Sequence, residues 1–191
     1  QRIKRWWYRR IEWAAQHLAD RTIYVSSRVY EEAQSLKIAA PTRACVIENG
    51  VEIGVDDRRG NTLARRGVTV CCVGRLEYQK GIDVLLKAVS LLSSRSIEVR
   101  LIIIGDGTLR ADLTTMCESL GIQSAIIFAG FQNDVPDYLM ASDIFVLPSR
   151  YETMSIALLE AMASGLPCIV TNVGENAQLI TDGVEGFVVP S

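Results

Sequence analysis

A single histidine, His17, serves all 191 residues, and that scarcity removes whole classes of chemistry. No Ser/His/Asp or Cys/His triad can be assembled, which argues against hydrolysis through a covalent serine or cysteine intermediate. The five cysteines, Cys45, Cys71, Cys72, Cys117 and Cys168, are odd in number and show no CxxC spacing, so with one histidine they complete no metal site. They lie mostly in or beside apolar runs and read as reduced core residues of a cytosolic protein. A P-loop is absent, and GDGTLR at 105–110 lacks the third glycine of GxGxxG, so neither ATP hydrolysis nor nicotinamide redox chemistry is supported. No apolar run is long enough for a membrane span, and the charged, aromatic N-terminus has no signal-peptide core. With 20 Lys and Arg against 22 Asp and Glu, the chain lacks the basic excess that binding to nucleic acid calls for.

What is present is a 49% hydrophobic chain, enough for one sound core or for one domain and part of another, and the order of elements favours the second. Residues 2–16, RIKRWWYRRIEWAAQ, predict a helix in which Trp6, Trp7 and Trp13 stand among Arg2, Lys4, Arg5, Arg9 and Arg10. Either it lies on a membrane surface, where cations beside tryptophan are at home, or it packs on a domain mostly outside this chain with its arginines solvated. A strand at 22–27, a short helix at 28–37 and a strand at 43–51 ending in an Asn49-Gly50 turn follow. The polar run DDRRGNTLARRG at 56–67 predicts a linker between a remnant over 1–55 and a domain over 68–191. The sequence begins within a helical pattern and ends at Pro190-Ser191 just after a strand, so truncation at both ends is expected.

From residue 68 strand and helix alternate five times, the pattern of an α/β, Rossmann-like parallel sheet with helices on both faces. Strands are expected at 68–73, 99–105, 125–130, 143–148 and 167–171, with an edge strand at 186–189. VRLIIIG at 99–105 is the most apolar and is expected at the centre. Helices are expected at 82–92, at 108–121 with Thr108 as N-cap and Gly121 as its stop, at 135–140 and near 175–180. Ligands of such sheets sit beyond the carboxyl ends of the strands, so the loops at 74–81, 105–108, 130–134 and 148–155 should ring one site.

The clearest chemistry lies in ETMSIALLEAMASGLPCIVT at 152–171. Met154, Ala157, Leu158, Ala161 and Met162 recur at helical spacing, Gly165 and Pro167 end the helix, and CIV at 168–170 reads as a buried strand. On one helix edge, Glu152 and Glu160 would be separated by about 12 Å of axial rise, too far to share a proton or a metal ion. Such a pair suits a long ligand held at both ends, its middle over the helix N-terminus, whose free N–H groups favour phosphate. A nucleotide-sugar has that shape. The alternative is a solvated glutamate face, which Glu160 fits poorly because it interrupts the apolar run IALLEAMA. In the loop GRLEYQKG, Arg75 and Lys80 precede a helix starting near Gly81 and read either as a pyrophosphate clamp or as ordinary surface cations.

The segments VGRLEYQKGIDVLLKA, LIIIGDG and FAGFQNDVPDYLMASDIFVLPSRYETMSIALLEAMASGLPCIVTNVGENAQLITDGVEGFVVPS together resemble the C-terminal donor-binding domain of the retaining GT-B glycosyltransferases, the glycosyl transferases group 1 family. In that family the ExxxxxxxE pair contacts the donor. The resemblance therefore implies Glu160 on the ribose hydroxyls, Glu152 near the transferred sugar, and Arg75 and Lys80 on the diphosphate leaving group. It implies donor contacts also for Gly74, Gly105, Asp106, Gly107, Thr153, Met154, Ser155 and Ile156. ENGVE at 48–52 is similar to the family's crossing between domains. Two positions depart from the pattern: Thr153 stands where many members have glycine, and Glu48 where proline is common. If that glycine supplied a positive φ, Thr153 would be strained; if it supplied only an N–H to phosphate, Thr153 does the same.

The implied reaction is hexosyl transfer from a nucleotide-diphosphate sugar to an acceptor hydroxyl, with retention at the anomeric carbon, in polysaccharide biosynthesis. No cofactor and no metal are implied, since Arg75, Lys80 and the N–H groups near Met154 and Ser155 meet the leaving-group charge. The glycan or lipid-linked acceptor, and any base, would belong to the N-terminal domain. The expected location is the cytoplasm, or the inner face of the membrane as a peripheral protein. Two other readings share the clamp: a GT-B sugar-nucleotide epimerase, whose own acid and base residues are not visible, and a non-catalytic sugar-nucleotide-binding module.

Overall fold

The structure is a computed structural model that describes residues 2–53 and 67–191, so the predicted linker, apart from Gly67, lies outside the described residues. Two compact units, Gln1–Gly50 and Val51–Ser191, part within the ENGVE segment.

In the first unit α1 (Arg2–Leu18) leads to β1 (Thr22–Tyr24), α2 (Ser27–Ser35) and β2 (Ala44–Val46), with β1 and β2 parallel. Ser26 opens α2 from an extended conformation, its hydroxyl accepting the Val29 N–H at 3.3 Å. The buried Tyr24 hydroxyl donates to Gln16 at 2.5 Å and fastens β1 to α1. Both strands are shorter than expected, because a two-stranded ladder gives the flanking residues no partner, and no turn forms at Asn49-Gly50. Trp7, Tyr8, Ile11 and Trp13 stay exposed on α1. Among the described residues no helix is long and apolar enough to cross a membrane.

The second unit runs β3 (Val68–Val73), a 3₁₀ turn at Tyr78–Lys80, α3 (Ile82–Ser94), β4 (Val99–Ile104), α4 (Arg110–Ser119), β5 (Ile126–Gly130), α5 (Val135–Met140), β6 (Ile144–Leu147), α6 (Ile156–Ala163), β7 (Cys168–Thr171), α7 (Asn176–Leu179) and β8 (Gly186–Val189). All six strands are parallel, in the order β5-β4-β3-β6-β7-β8. Alternation along the strands feeds two cores. Val70 and Cys72 join Leu85, Leu86, Leu113 and Cys117 from α3 and α4, whereas Cys71, Phe145, Leu147 and Val170 join Leu139, Leu158 and Ala161 from α5 and α6. Helices thus cover both faces, which is why the strands read as unbroken apolar runs.

Two expectations need correction. β4 stands second from one edge, and the centre belongs to β3 and β6. Its hydrophobicity reports coverage on both faces, with Leu101, Ile103 and Ile104 all buried, and says nothing of lateral position. Thr108 does not cap α4, which begins at Arg110 after Leu109; its N–H and hydroxyl instead both donate to the Glu77 carboxylate, at 3.2 and 3.0 Å.

Four of the cysteines are buried and all five are free. Burial pushes the thiols of Cys71 and Cys168 up to about 12, so at neutral pH they are protonated and inert.

Candidate functional site

Strand order reverses between β3 and β6: from β3 the chain proceeds to β4 and β5 on one side, and from β6 to β7 and β8 on the other. The loops leaving these two neighbours diverge, and the crevice between them, beyond the carboxyl ends of the strands, is where such sheets bind ligands. One loop carries Gly74, Arg75 and Lys80, and the other carries Glu152 to Ser155.

Lys80 closes the 3₁₀ turn, and Gly81 follows in a left-handed conformation with φ +64°. A β-carbon there would lie 2.1 Å from the Pro148 carbonyl oxygen, so only glycine lets the start of α3 sit against the end of β6. Lys80 Nζ then meets Glu152 Oε1 at 2.5 Å, with side-chain exposures of only 15% and 7%. Ser149, fully buried, donates its hydroxyl to the same oxygen at 2.7 Å. Thr171 on β7 holds Ser149 in turn, donating to its carbonyl at 2.6 Å. The second carboxylate oxygen of Glu152 keeps no partner among the described residues, and the ammonium keeps two unspent hydrogens. A paired, partly desolvated charge set with capacity left over is suited to a ligand rich in hydroxyl and phosphate oxygens.

The first turn of α6 borders this pair. Ser155 is its N-cap, with its hydroxyl accepting the Leu158 N–H at 3.4 Å. The N–H groups of Ile156 and Ala157 make no hydrogen bond to any described residue and remain available. Glu152 therefore precedes the helix and does not ride on it, which corrects the placing of both glutamates on one helix edge. The ion pair and the serine cap hold 152–155 out of the helix. Thr153 is free of the strain considered for it, since the non-glycine residues with positive φ are Lys37 and Ser96 among those described. Its carbonyl accepts the Glu175 N–H at 3.1 Å.

Glu160 is the one predicted acid within the helix. Half-buried, its carboxyl has no side-chain partner among the described residues, and burial raises its pKa above the ordinary range. Arg75 is exposed and its guanidinium pairs with no described residue.

Gly105, Asp106 and Gly107 have a packing role that sequence alone does not show. Gly105, at φ +128°, would place a β-carbon 2.1 Å from the Gly74 carbonyl oxygen, and Gly107 would crowd the Leu76 backbone at 2.6 Å. Leu76 N–H donates to Asp106 O at 2.9 Å, and Leu109 N–H to Leu76 O at 3.0 Å. This loop is the buttress behind the Arg75–Lys80 loop. Gly105→Ala is accordingly expected to lose about 3 kcal/mol of stability in urea titration, from overpacking against fixed backbone at an unfavourable φ.

Several residues at the crevice escaped sequence reasoning. Ser149 and Arg150 sit beside Glu152 without any distinguishing pattern, and Arg150 pairs with Asp83, 67 residues away, through two bonds of 2.8 and 2.7 Å. Those bonds hold the Asp83 carboxyl below the usual range. Among the described residues no group of three or more His, Cys, Asp or Glu side chains stands together as a metal site.

Known proteins share both sequence and architecture. Residues 56–191 match the family described as Glycosyl transferases group 1. An uncharacterized glycosyltransferase of Methanocaldococcus jannaschii is 31% identical over 192 residues, covering 94% of this chain and 49% of the relative. The UDP-Gal:alpha-D-GlcNAc-diphosphoundecaprenol alpha-1,3-galactosyltransferase of Escherichia coli is 34% identical over 161 residues, covering 78% of this chain and 42% of that protein. The chain thus spans about half, or less, of the length of these curated relatives. Among solved structures, the pneumococcal O-GlcNAc transferase GtfA in complex with UDP and GlcNAc superposes with a TM-score of 0.80 at 23% identity, over 95% of this chain and 36% of that one, a likeness of fold. The chain belongs to the glycosyl transferases group 1 family, and its fold is that of the GT-B glycosyltransferases.

Proposed function

We propose that the crevice between β3 and β6 binds the nucleotide-diphosphate sugar of a retaining hexosyltransferase. The observation that carries this reading is the Lys80–Glu152 pair, next to two N–H groups of α6 that bond no described residue, with Arg75 on the same loop as Lys80. In transfer the bond from the anomeric carbon to the diphosphate oxygen breaks, a bond to the acceptor oxygen forms, and the acceptor proton passes to a base. Negative charge grows on the departing diphosphate, and Lys80, Arg75 and the Ile156 and Ala157 N–H groups are the donors that meet it. Residues 74, 105–107 and 153–155 shape the loops around them.

Lys80 and Ser149 hold one carboxylate oxygen of Glu152 in place. Its role is to position the sugar, with the free carboxylate oxygen accepting a hydroxyl. Glu160 takes the ribose hydroxyls, partners that no described side chain gives its carboxyl. The similarity to a UDP-galactose-dependent enzyme favours a uridine donor. The acceptor, a glycan or lipid-linked glycan, is met by the part of the protein that completes a GT-B enzyme. No metal or cofactor is required in this scheme, and the protein acts in the cytoplasm.

The test is thermal unfolding of the chain with UDP-, GDP- and ADP-sugars. Stabilisation by one of them, expected with the uridine series, supports the reading; no shift with any at millimolar concentration would overturn it.

A further inference from the structure

Lys80 and Glu152 stand on loops from different strands, and their meeting requires those loops to keep one separation. Arg150 spans the gap. Its Nη1 and Nη2 donate to Asp83 Oδ1 and Oδ2 at 2.8 and 2.7 Å, Nη1 also donates to the Tyr78 carbonyl at 2.7 Å, and Cζ lies 4.1 Å from the centre of the Tyr78 ring. Backbone bonds run beside it, with Arg150 N–H donating to Gln79 O at 2.8 Å and the Gln79 side chain to Tyr151 O at 3.2 Å. Tyr78 precedes Lys80 by two residues, Asp83 follows it by three, and Arg150 precedes Glu152 by two. The tie therefore flanks Lys80 on both sides and meets the other loop just before Glu152.

We propose that Arg150 is a positioning residue of the donor site: its fork locks the β6 loop onto the β3 loop and thereby sets where the Lys80 ammonium points. This rests on the donor reading above. A bidentate guanidinium fixes angle as well as distance, which a lysine at the same place does not. With side chains a quarter to a third exposed, the Arg150–Asp83 pair contributes little to global stability, so its effect falls on local geometry.

The experiment is a double-mutant cycle on the 191-residue chain, reading affinity for UDP by calorimetry at up to millimolar ligand. UDP carries the ribose and the diphosphate but lacks the transferred hexose, so it reports Lys80 and not the sugar contact of Glu152. Arg150→Met is expected to weaken UDP about tenfold in the wild-type background and less than about twofold in the Lys80→Ala background, where no ammonium remains to be placed. Arg150→Lys is expected to restore none of the loss. Equal losses in both backgrounds, no loss, or recovery by lysine would each overturn the proposal. If Lys80→Ala binds too weakly to measure, the lysine arm decides alone; if Arg150→Met does not fold, Asp83→Asn carries the same comparison. Failure of the donor reading shows separately, as absence of nucleotide binding by the wild-type chain before any variant is made.

Discussion

Lys80→Ala is expected to weaken UDP binding by about one to two orders of magnitude and to slow sugar transfer by the whole protein about 10²–10³-fold, the usual consequence of removing one preorganised donor from a developing anion. It should also destabilise the unliganded fold by about 3 kcal/mol, because the Glu152 side chain, 7% exposed, loses its ionic partner and keeps Ser149 alone among the described residues. These two losses are separable. Replacing both partners, Lys80→Met with Glu152→Leu, should recover most of the stability, since a matched apolar pair avoids the desolvation that the ions suffer, yet should recover no binding. Urea titration and calorimetry on the same samples check both. Recovery of binding by the apolar pair would show that Lys80 holds the fold and not the ligand.

Glu160 is expected to show the opposite balance. Burial raises its folded-state pKa above the unfolded value, so the stability associated with its protonated form is complete below the ordinary glutamate range and is lost as pH rises through the raised value. The unliganded chain thus holds a half-buried carboxyl whose charged form burial disfavours and which has no side-chain partner among the described residues. Glu160→Gln should therefore raise the unfolding temperature of the unliganded chain at pH 7, with the advantage vanishing at acidic pH. The same substitution should weaken nucleotide binding about 10–100-fold, the worth of charge-assisted bonds to two ribose hydroxyls, and so erase most of the ligand-induced shift. A variant that is stabilised without ligand and still fully responsive to it would remove Glu160 from the site.

Much of this was legible in the chain, for definable reasons. Strands covered on both faces are continuous apolar runs, so VTVCCV became β3 over the predicted residues, and the boundaries of α5 coincide with those expected. Gly165 and Gly121 ended their helices with positive φ. Alternation points to the carboxyl end of the sheet, where the loops leaving parallel strands gather, but not to the β3–β6 crevice, which depends on strand order. What escaped was whatever depends on partners distant in sequence. Nothing near Arg150 announces Asp83, and nothing near Thr108 announces Glu77, so a plausible N-cap became a tie between loops. Glu152 looks like helix because nothing local reveals its salt bridge to Lys80, although Ser155 before the apolar run is itself an N-cap signal. Lateral order eluded the sequence too, since hydrophobicity registers depth and not sequence of neighbours.

The ladder joining β3 to β6 runs through two residue pairs, Val70 with Ile144 and Cys71 with Phe145, whereas β3 meets β4 over six. The half-sheets are thus stitched most thinly where the crevice opens. A donor bound as proposed would touch both lips and act as a staple across that seam.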